Sequence, residues 1–285
     1  MLLIADSGST KCDWVLVKDG KPFKRFSTMG FNPYFHNEAV ISGTLRRKEP
    51  LYDHLGEIEQ AFFYGAGCST PELQQVVARG LYSILPNAKV YVGHDLEAAA
   101  YATYSGEPGI ACILGTGSNS CFFDGKTVSE EVPALAYILG DEGSGAWYGK
   151  RLLAEFLYKR LPATMTAGLK EEFKLDRNTV MENVYMKPHA NVYLASFMRF
   201  ISTFKEEAYV QELIFEGNTA FLQTHVCCFA NYRDVPTHFV GSVAYYFSDI
   251  LYQAAAKLSV HVGTIEKKPI NGLVNYHLEH QKELI

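Results

Sequence analysis

Hydrophobic and polar positions alternate in short blocks along the first third of the chain. Leu2 to Ala5 is an apolar run, Asp6-Ser7-Gly8-Ser9-Thr10-Lys11 a turn of small polar residues, and Cys12 to Val17 a second run ending at Asp19-Gly20. Asp-Gly between two strand-like runs predicts a hairpin. Lys21 to Thr28 supplies a third strand. It leads into Met29-Gly30-Phe31-Asn32-Pro33, a loop in which Pro33 keeps Asn32 out of the helical region. Residues 36–48 read as a helix closing on the solvated cluster Arg46-Arg47-Lys48. Ile58 to Tyr64 is strand-like. Leu73, Val76, Val77, Leu81, Ile84 and Leu85 then recur at three- and four-residue steps, the stripe of an amphipathic helix. Val90 to Val92 is a further strand, running through Gly93-His94-Asp95 into a helix that opens at Leu96. Three strands followed by alternating helices and strands predict a mixed sheet with helices packed on it.

The opening pattern then recurs. After a Gly- and Pro-rich hinge at Ser105 to Gly109 come an apolar strand, Ile110 to Leu114, and a small polar turn, Gly115-Thr116-Gly117-Ser118-Asn119-Ser120. A second strand, Cys121 to Phe123, ends in Asp124-Gly125. Two copies of strand, hydroxyl-rich turn, strand and Asp-Gly predict two related lobes whose turns face each other across a central cleft. The boundaries read as 1–106 and 107–269, with a C-terminal helix at about 270–285 packing back on the first lobe. In the second lobe, Gly140-Asp141-Glu142-Gly143-Ser144-Gly145 is a tight turn exposing paired carboxylates, with Ser144 poised to cap a helix over 146–161. Residues 169–233 are mostly helical. Thr237 to Val240 returns to strand and breaks at Gly241-Ser242, and a helix follows over 248–258.

Composition narrows the class. The chain has 285 residues, 48% of them hydrophobic and 20% charged, and a net charge of −5. These values fit a globular protein with a substantial core and give no reason to expect nucleic acid or an acidic membrane surface as partner. No apolar run reaches membrane-spanning length and no secretion signal opens the chain, so a cytoplasmic protein is expected. Its six cysteines form no C-x-x-C pair, which leaves zinc and redox motifs unsupported.

Two kinds of chemistry remain. A turn of Ser, Gly, Ser and Thr lets backbone N–H groups and hydroxyls approach an anion closely. An aspartate beside it, Asp6, is costly next to bare phosphate but sensible next to a metal-chelated one. Asp95, at a strand end, reads locally as a helix N-cap, and Asn32 as either a turn residue or a hydroxyl contact. His94 reads as structural.

At this point the residues resemble a known group. Asp6 to Thr10 is similar to the first phosphate motif of the actin-like ATPase superfamily of sugar kinases, Hsp70 and actin, Gly115 to Ser118 to the second, and Gly241-Ser242-Val243-Ala244 to the adenosine turn. Gly140 to Gly145 resembles the signature of the N-acetylglucosamine kinase family, grouped with the BadF/BadG-type ATPases. The resemblance implies a two-lobed α/β fold of the ribonuclease H-like kind and an ATP-dependent, Mg²⁺-requiring transfer of phosphate to an amino sugar. It implies that Asp6 holds Mg²⁺, that Ser9, Thr10, Lys11, Thr116, Gly117 and Ser118 meet the ATP phosphates, and that Gly241 and Ser242 lie beside the adenosine. It makes Asp95 the catalytic base and Asn32, Asp95, Asp141 and Glu142 the sugar contacts. The chain departs from the family at Ala134-Leu135-Ala136, where many members carry Gly-Trp-Gly. That departure bears on which sugar is bound. The alternatives are an activator ATPase of a 2-hydroxyacyl-CoA dehydratase-like partner and a non-catalytic sugar or nucleotide sensor. Aromatics such as Phe197, Phe200 and Phe204 suit either a homodimer face or a core.

Overall fold

Period-two alternation gives strand β1 (Leu2–Ser7) two apolar faces, with Leu3 and Ala5 on one and Leu2 and Ile4 on the other. A strand apolar on both faces belongs in the middle of a sheet covered on both sides, and the computed structural model, which describes residues 1–280, places it there. β1 pairs antiparallel with β2 (Lys11–Lys18), which pairs antiparallel with β3 (Lys21–Met29). On its other edge β1 runs parallel to β4 (Gln60–Gly65), and β4 parallel to β5 (Lys89–His94). Asp19 and Gly20 both take positive φ, the turn that Asp-Gly announces. Helices Glu38–Leu45 and Pro71–Tyr82 cover the Leu3 face through Ile41, Leu45, Val77 and Leu81. Helices Asp95–Thr103 and Ile270–Glu279 cover the Leu2 face through Ala98, Ile270, Leu273 and Val274.

The second sheet repeats this plan. β6 (Gly109–Leu114) pairs antiparallel with β7 (Ser118–Phe123), and β7 with the short β8 (Val128–Ser129). β6 runs parallel to β9 (Thr237–Val240), and β9 to β10 (Val262–Glu266). Both sheets have five strands, and their orders, β3-β2-β1-β4-β5 and β8-β7-β6-β9-β10, correspond strand for strand. Between β8 and β9 the chain inserts a helical body that includes Gly145–Leu157, Ala163–Phe173 and Ala208–Phe221, and one large core joins these helices to the sheet. By its contacts the chain divides into two units, residues 1–105 with the segment from Lys268, and residues 106–267.

Several details differ from the sequence reading. The helix expected over 36–48 is Glu38–Leu45, capped by Asn37, whose Oδ1 accepts the Val40 N–H at 3.1 Å; Pro50 then opens a separate short helix, Glu49–Tyr52. β8 and β10 escaped the reading because one has two residues and the other is broken by a register shift. Phe197 and Phe200 are buried and Phe204 packs against the same core, so these rings offer no open pairing face. The C-terminal helix is described as far as Glu279, and the rest of the expected span lies outside the described residues. Among the described residues no helix is long and apolar enough to cross a membrane.

Candidate active site

In the first unit, β1 delivers Asp6 to the sheet end and the chain turns back at once. The turn is closed by the Gly8 N–H on the Lys11 carbonyl at 3.0 Å. The loop after β3 clamps it, since the Phe31 N–H donates to Ser7 Oγ at 2.8 Å and the Gly30 N–H to the Thr10 carbonyl at 3.1 Å. Ser9 is half-buried and Thr10 exposed on this turn. β5 delivers Asp95 at the start of helix Asp95–Thr103. Burial, with the charges of Asp95 and then Asp13 adding to it, pushes the Asp6 carboxyl up to about 7.

Asp13 is the neighbour the sequence reading missed. It receives the Lys11 ammonium at 2.7 Å, the Lys268 ammonium at 2.9 Å and the Ser27 hydroxyl at 2.7 Å. Burial works against its charge, but these partners hold it below the usual carboxylate range. Lys11, expected on phosphate, is thus paired with Asp13, and its side chain remains half exposed. Lys268 lies far off in sequence and could not have been found from local pattern. Asn32 forms an Asx turn, its Oδ1 accepting the Tyr34 N–H at 3.0 Å, and it faces Gly67.

In the second unit the polar turn and the Gly-Asp-Glu-Gly-Ser-Gly segment are knitted together through the backbone. The Gly145 N–H donates to the Gly115 carbonyl at 2.8 Å and the Ala146 N–H to the Thr116 carbonyl at 3.0 Å. Ser118 Oγ donates to the Glu142 carbonyl at 2.8 Å, while the Ser118 N–H reaches Asp141 Oδ1 at 3.3 Å. A Cβ at Gly117 would stand 3.0 Å from the Asp141 carboxylate, tighter than ordinary van der Waals contact. Asp141 is 8% exposed and takes a left-handed φ of 57°. Ser144 caps helix Gly145–Leu157 through the Trp147 N–H at 3.2 Å, as its position predicted. Glu142 turns its carboxylate to His225, with Nε2 at 3.4 Å. His225 sits in a π-helical turn, Leu222–Val226, and burial lowers its pKa. Nothing in the sequence near Glu142 signals this partner.

Gly241 adopts a φ of 122°, and a Cβ there would collide with the Leu114 carbonyl at the head of the same polar turn. Thr116, Gly117, Ser118, Asp141, Glu142 and Gly241 therefore belong to one assembly. Ser242 is exposed beside it, opening the next helix. Ala134, Leu135 and Ala136 are exposed, and Ala136 has a φ of 56°. An alanine thus holds the left-handed backbone that a glycine adopts without strain.

Among the described residues no group of three or more His, Cys, Asp or Glu could hold a metal ion by itself. Mg²⁺ commonly uses one or two carboxylates and completes its shell with water and substrate phosphate. Asp6, crowded by like charges, fits that role, since a nearby cation relieves the crowding.

Compared with solved structures, the chain is 38% identical to a Porphyromonas gingivalis protein provisionally assigned as an N-acetylglucosamine kinase, with a TM-score of 0.93 over 99% of this chain and 100% of that one. The chain belongs to the N-acetylglucosamine kinase family. A Chromobacterium violaceum protein with the same provisional assignment shares the fold at 17% identity and a TM-score of 0.72, covering 96% and 98% of the two chains. A ROK-family glucokinase from Streptomyces griseus, solved with glucose and AMPPNP, shares it at 14% identity and a TM-score of 0.57, covering 96% and 97%. No protein-family model matches the chain, and no curated protein does. The paired five-stranded mixed sheets of this N-acetylglucosamine kinase family member are those of the actin-like ATPase fold.

Proposed function

We propose that this protein transfers the γ-phosphoryl group of ATP to a hydroxyl of an amino sugar, N-acetylglucosamine or a close relative. The observation that carries the reading is the placement of Asp95 at the end of β5, close enough to Asp6 in the phosphate-type turn to raise its pKa. Two neighbouring carboxylates at one end of a sheet, one to hold a cation and one to accept a hydroxyl proton, are what phosphoryl transfer to a hydroxyl asks of a protein. The assignment carried by the P. gingivalis relative supports the same substrate class.

In this reading Asp95 accepts the sugar hydroxyl proton while the hydroxyl oxygen bonds to the γ-phosphorus and ADP leaves. Asp6 holds Mg²⁺, which neutralises phosphate charge. Ser9, Thr10, Lys11, Thr116, Gly117 and Ser118 bind the phosphates, and Gly241 and Ser242 the adenosine. Asn32, Asp141 and Glu142 position the sugar. Asp141 does so while its carboxylate also accepts the Ser118 N–H, which ties the sugar contact to the phosphate turn. The exposed Ala134-Leu135-Ala136 segment replaces a glycine-flanked aromatic, so relatives of N-acetylglucosamine with other substituents belong in the test.

ATP turnover with Mg²⁺ is measured against N-acetylglucosamine, glucosamine, N-acetylmuramic acid, N-acetylmannosamine and glucose, with Asp95→Asn alongside. Sugar-stimulated turnover that falls about a hundredfold or more in the variant is expected. Hydrolysis indifferent to every sugar overturns the reading.

A further inference from the structure

His94 lies between the last residue contacts of β5 and the carboxylate of Asp95, and its surroundings give it little freedom. Glu97, one turn into the helix, accepts the His94 backbone N–H on Oε1 at 2.9 Å, and the Tyr91 hydroxyl donates to its Oε2 at 2.5 Å. A capping box joins His94 and Glu97 reciprocally, so one ring nitrogen of His94 faces the Glu97 backbone N–H. The other, Nε2, lies 3.1 Å from Asp95 Oδ1. A neutral ring with Nδ1 turned to an N–H carries its proton on Nε2, the nitrogen at contact distance from Asp95. Tyr91, Glu97 and His94 thus form a chain of contacts that ends on one oxygen of the carboxylate.

We infer that His94 is a positioning residue for Asp95, occupying Oδ1 and leaving Oδ2 to take the sugar hydroxyl proton. This rests on the kinase reading above. A carboxylate on a short side chain at a helix start has several rotamers, and the energy of a general base is spent well only if one of them is held. The 3.1 Å approach of Nε2 to Oδ1 favours one rotamer before substrate arrives. It also directs the uncommitted lone pairs to a single oxygen. The same chain explains why Tyr91, on an exposed strand face, points its hydroxyl at Glu97 rather than at solvent.

The test compares His94→Phe, which keeps the ring shape without the donor, with His94→Gln, which keeps an N–H donor at similar reach. Both are measured for kcat and for the KM of ATP and sugar, alone and combined with Asp95→Asn. The expected result is a loss of about tenfold in kcat for His94→Phe, an ATP KM unchanged within about twofold, and recovery to within about threefold of wild type for His94→Gln. In the Asp95→Asn background His94→Phe is expected to cost nothing further, because the two residues act as one unit. Equal losses in Phe and Gln variants, or additive losses with Asp95→Asn, overturn the inference. A ¹⁵N NMR measurement of the imidazole supplies a readout besides turnover, with the Nε2–H tautomer expected in the wild type. An Nδ1–H tautomer in an active enzyme overturns the positioning role alone, whereas sugar-indifferent ATP hydrolysis in the wild type overturns the kinase reading and the role together.

Discussion

In the first unit the turn after the opening strand is charged. Asp6 and Asp13 lie close together with Asp95 near Asp6, and Lys11 and Lys268 both pair with Asp13. In the second unit the equivalent turn, Gly115 to Ser118, carries no ionisable residue and is fixed by backbone bonds to the Gly140–Gly145 segment. Strand order and strand senses are the same in both. The difference teaches that one scaffold can build a polar turn in two physical ways, and under the proposed kinase reading both serve phosphate. A charged turn is held in electrostatic tension that a cation releases, and it can be relatively open. A neutral turn offers preorganised N–H and O–H donors, and it must be rigid before ligand arrives.

Three experiments press on that contrast. The largest effect is expected from Gly241→Ala, which forces a side chain into a left-handed backbone and against the Leu114 carbonyl. A loss of about 4 kcal/mol in urea unfolding is expected, and an unchanged midpoint would break the claim that the second unit's turn is rigidly locked. Next is the acid response of the first unit. Burial, and secondarily His280, lowers His277 from 6.5 to about 4. Between those values the unfolded chain binds the proton that the folded chain refuses, so stability falls as pH falls through the window and is fully present above it. The contribution of His277 is about 3 kcal/mol at most, from a shift of this size. Urea midpoints at pH 7.5 and 5 should therefore converge in His277→Gln relative to wild type. His225 and His238 in the second unit shift in the same direction, so some acid sensitivity should survive. The smallest effect compares the two turns directly. Gly117→Ala places a Cβ 3.0 Å from the Asp141 carboxylate, while Gly8→Ala meets nothing nearer than the Lys11 carbonyl at 3.7 Å. About a tenfold drop in kcat/KM for ATP is expected in the first and less than about twofold in the second, and equal effects would erase the distinction between a rigid and an open turn.

Much of this architecture was legible because its signals are local. Two apolar runs around a hydroxyl-rich turn, closed by Asp-Gly, fix the hairpins β1–β2 and β6–β7 whatever surrounds them. Ser144 as a cap was equally readable, since a cap acts within four residues. Asp13, Lys268 and His225 were not legible. Lys268 meets Asp13 across most of the chain's length, and His225 reaches Glu142 from a π-helical turn far along the chain. His94 stood in plain view beside Asp95, but adjacency in sequence does not show that its Nε2 comes within 3.1 Å of the Asp95 carboxylate. The aromatics Phe197 and Phe200 could have faced outward on pattern alone, and only the packing of the inserted helices puts them inside.

Helix Ile270–Glu279 covers one face of the first sheet, burying Leu2, Ile4, Val15, Val17 and Phe62 with Leu273 and Val274. That helix is encoded after the whole second unit. During synthesis the Leu2 face of the first sheet therefore has only helix Asp95–Thr103 to cover it until residues 270–279 emerge. The opening unit thus completes its fold only after the second unit has been made, and its half-covered apolar face is open to aggregation during that interval.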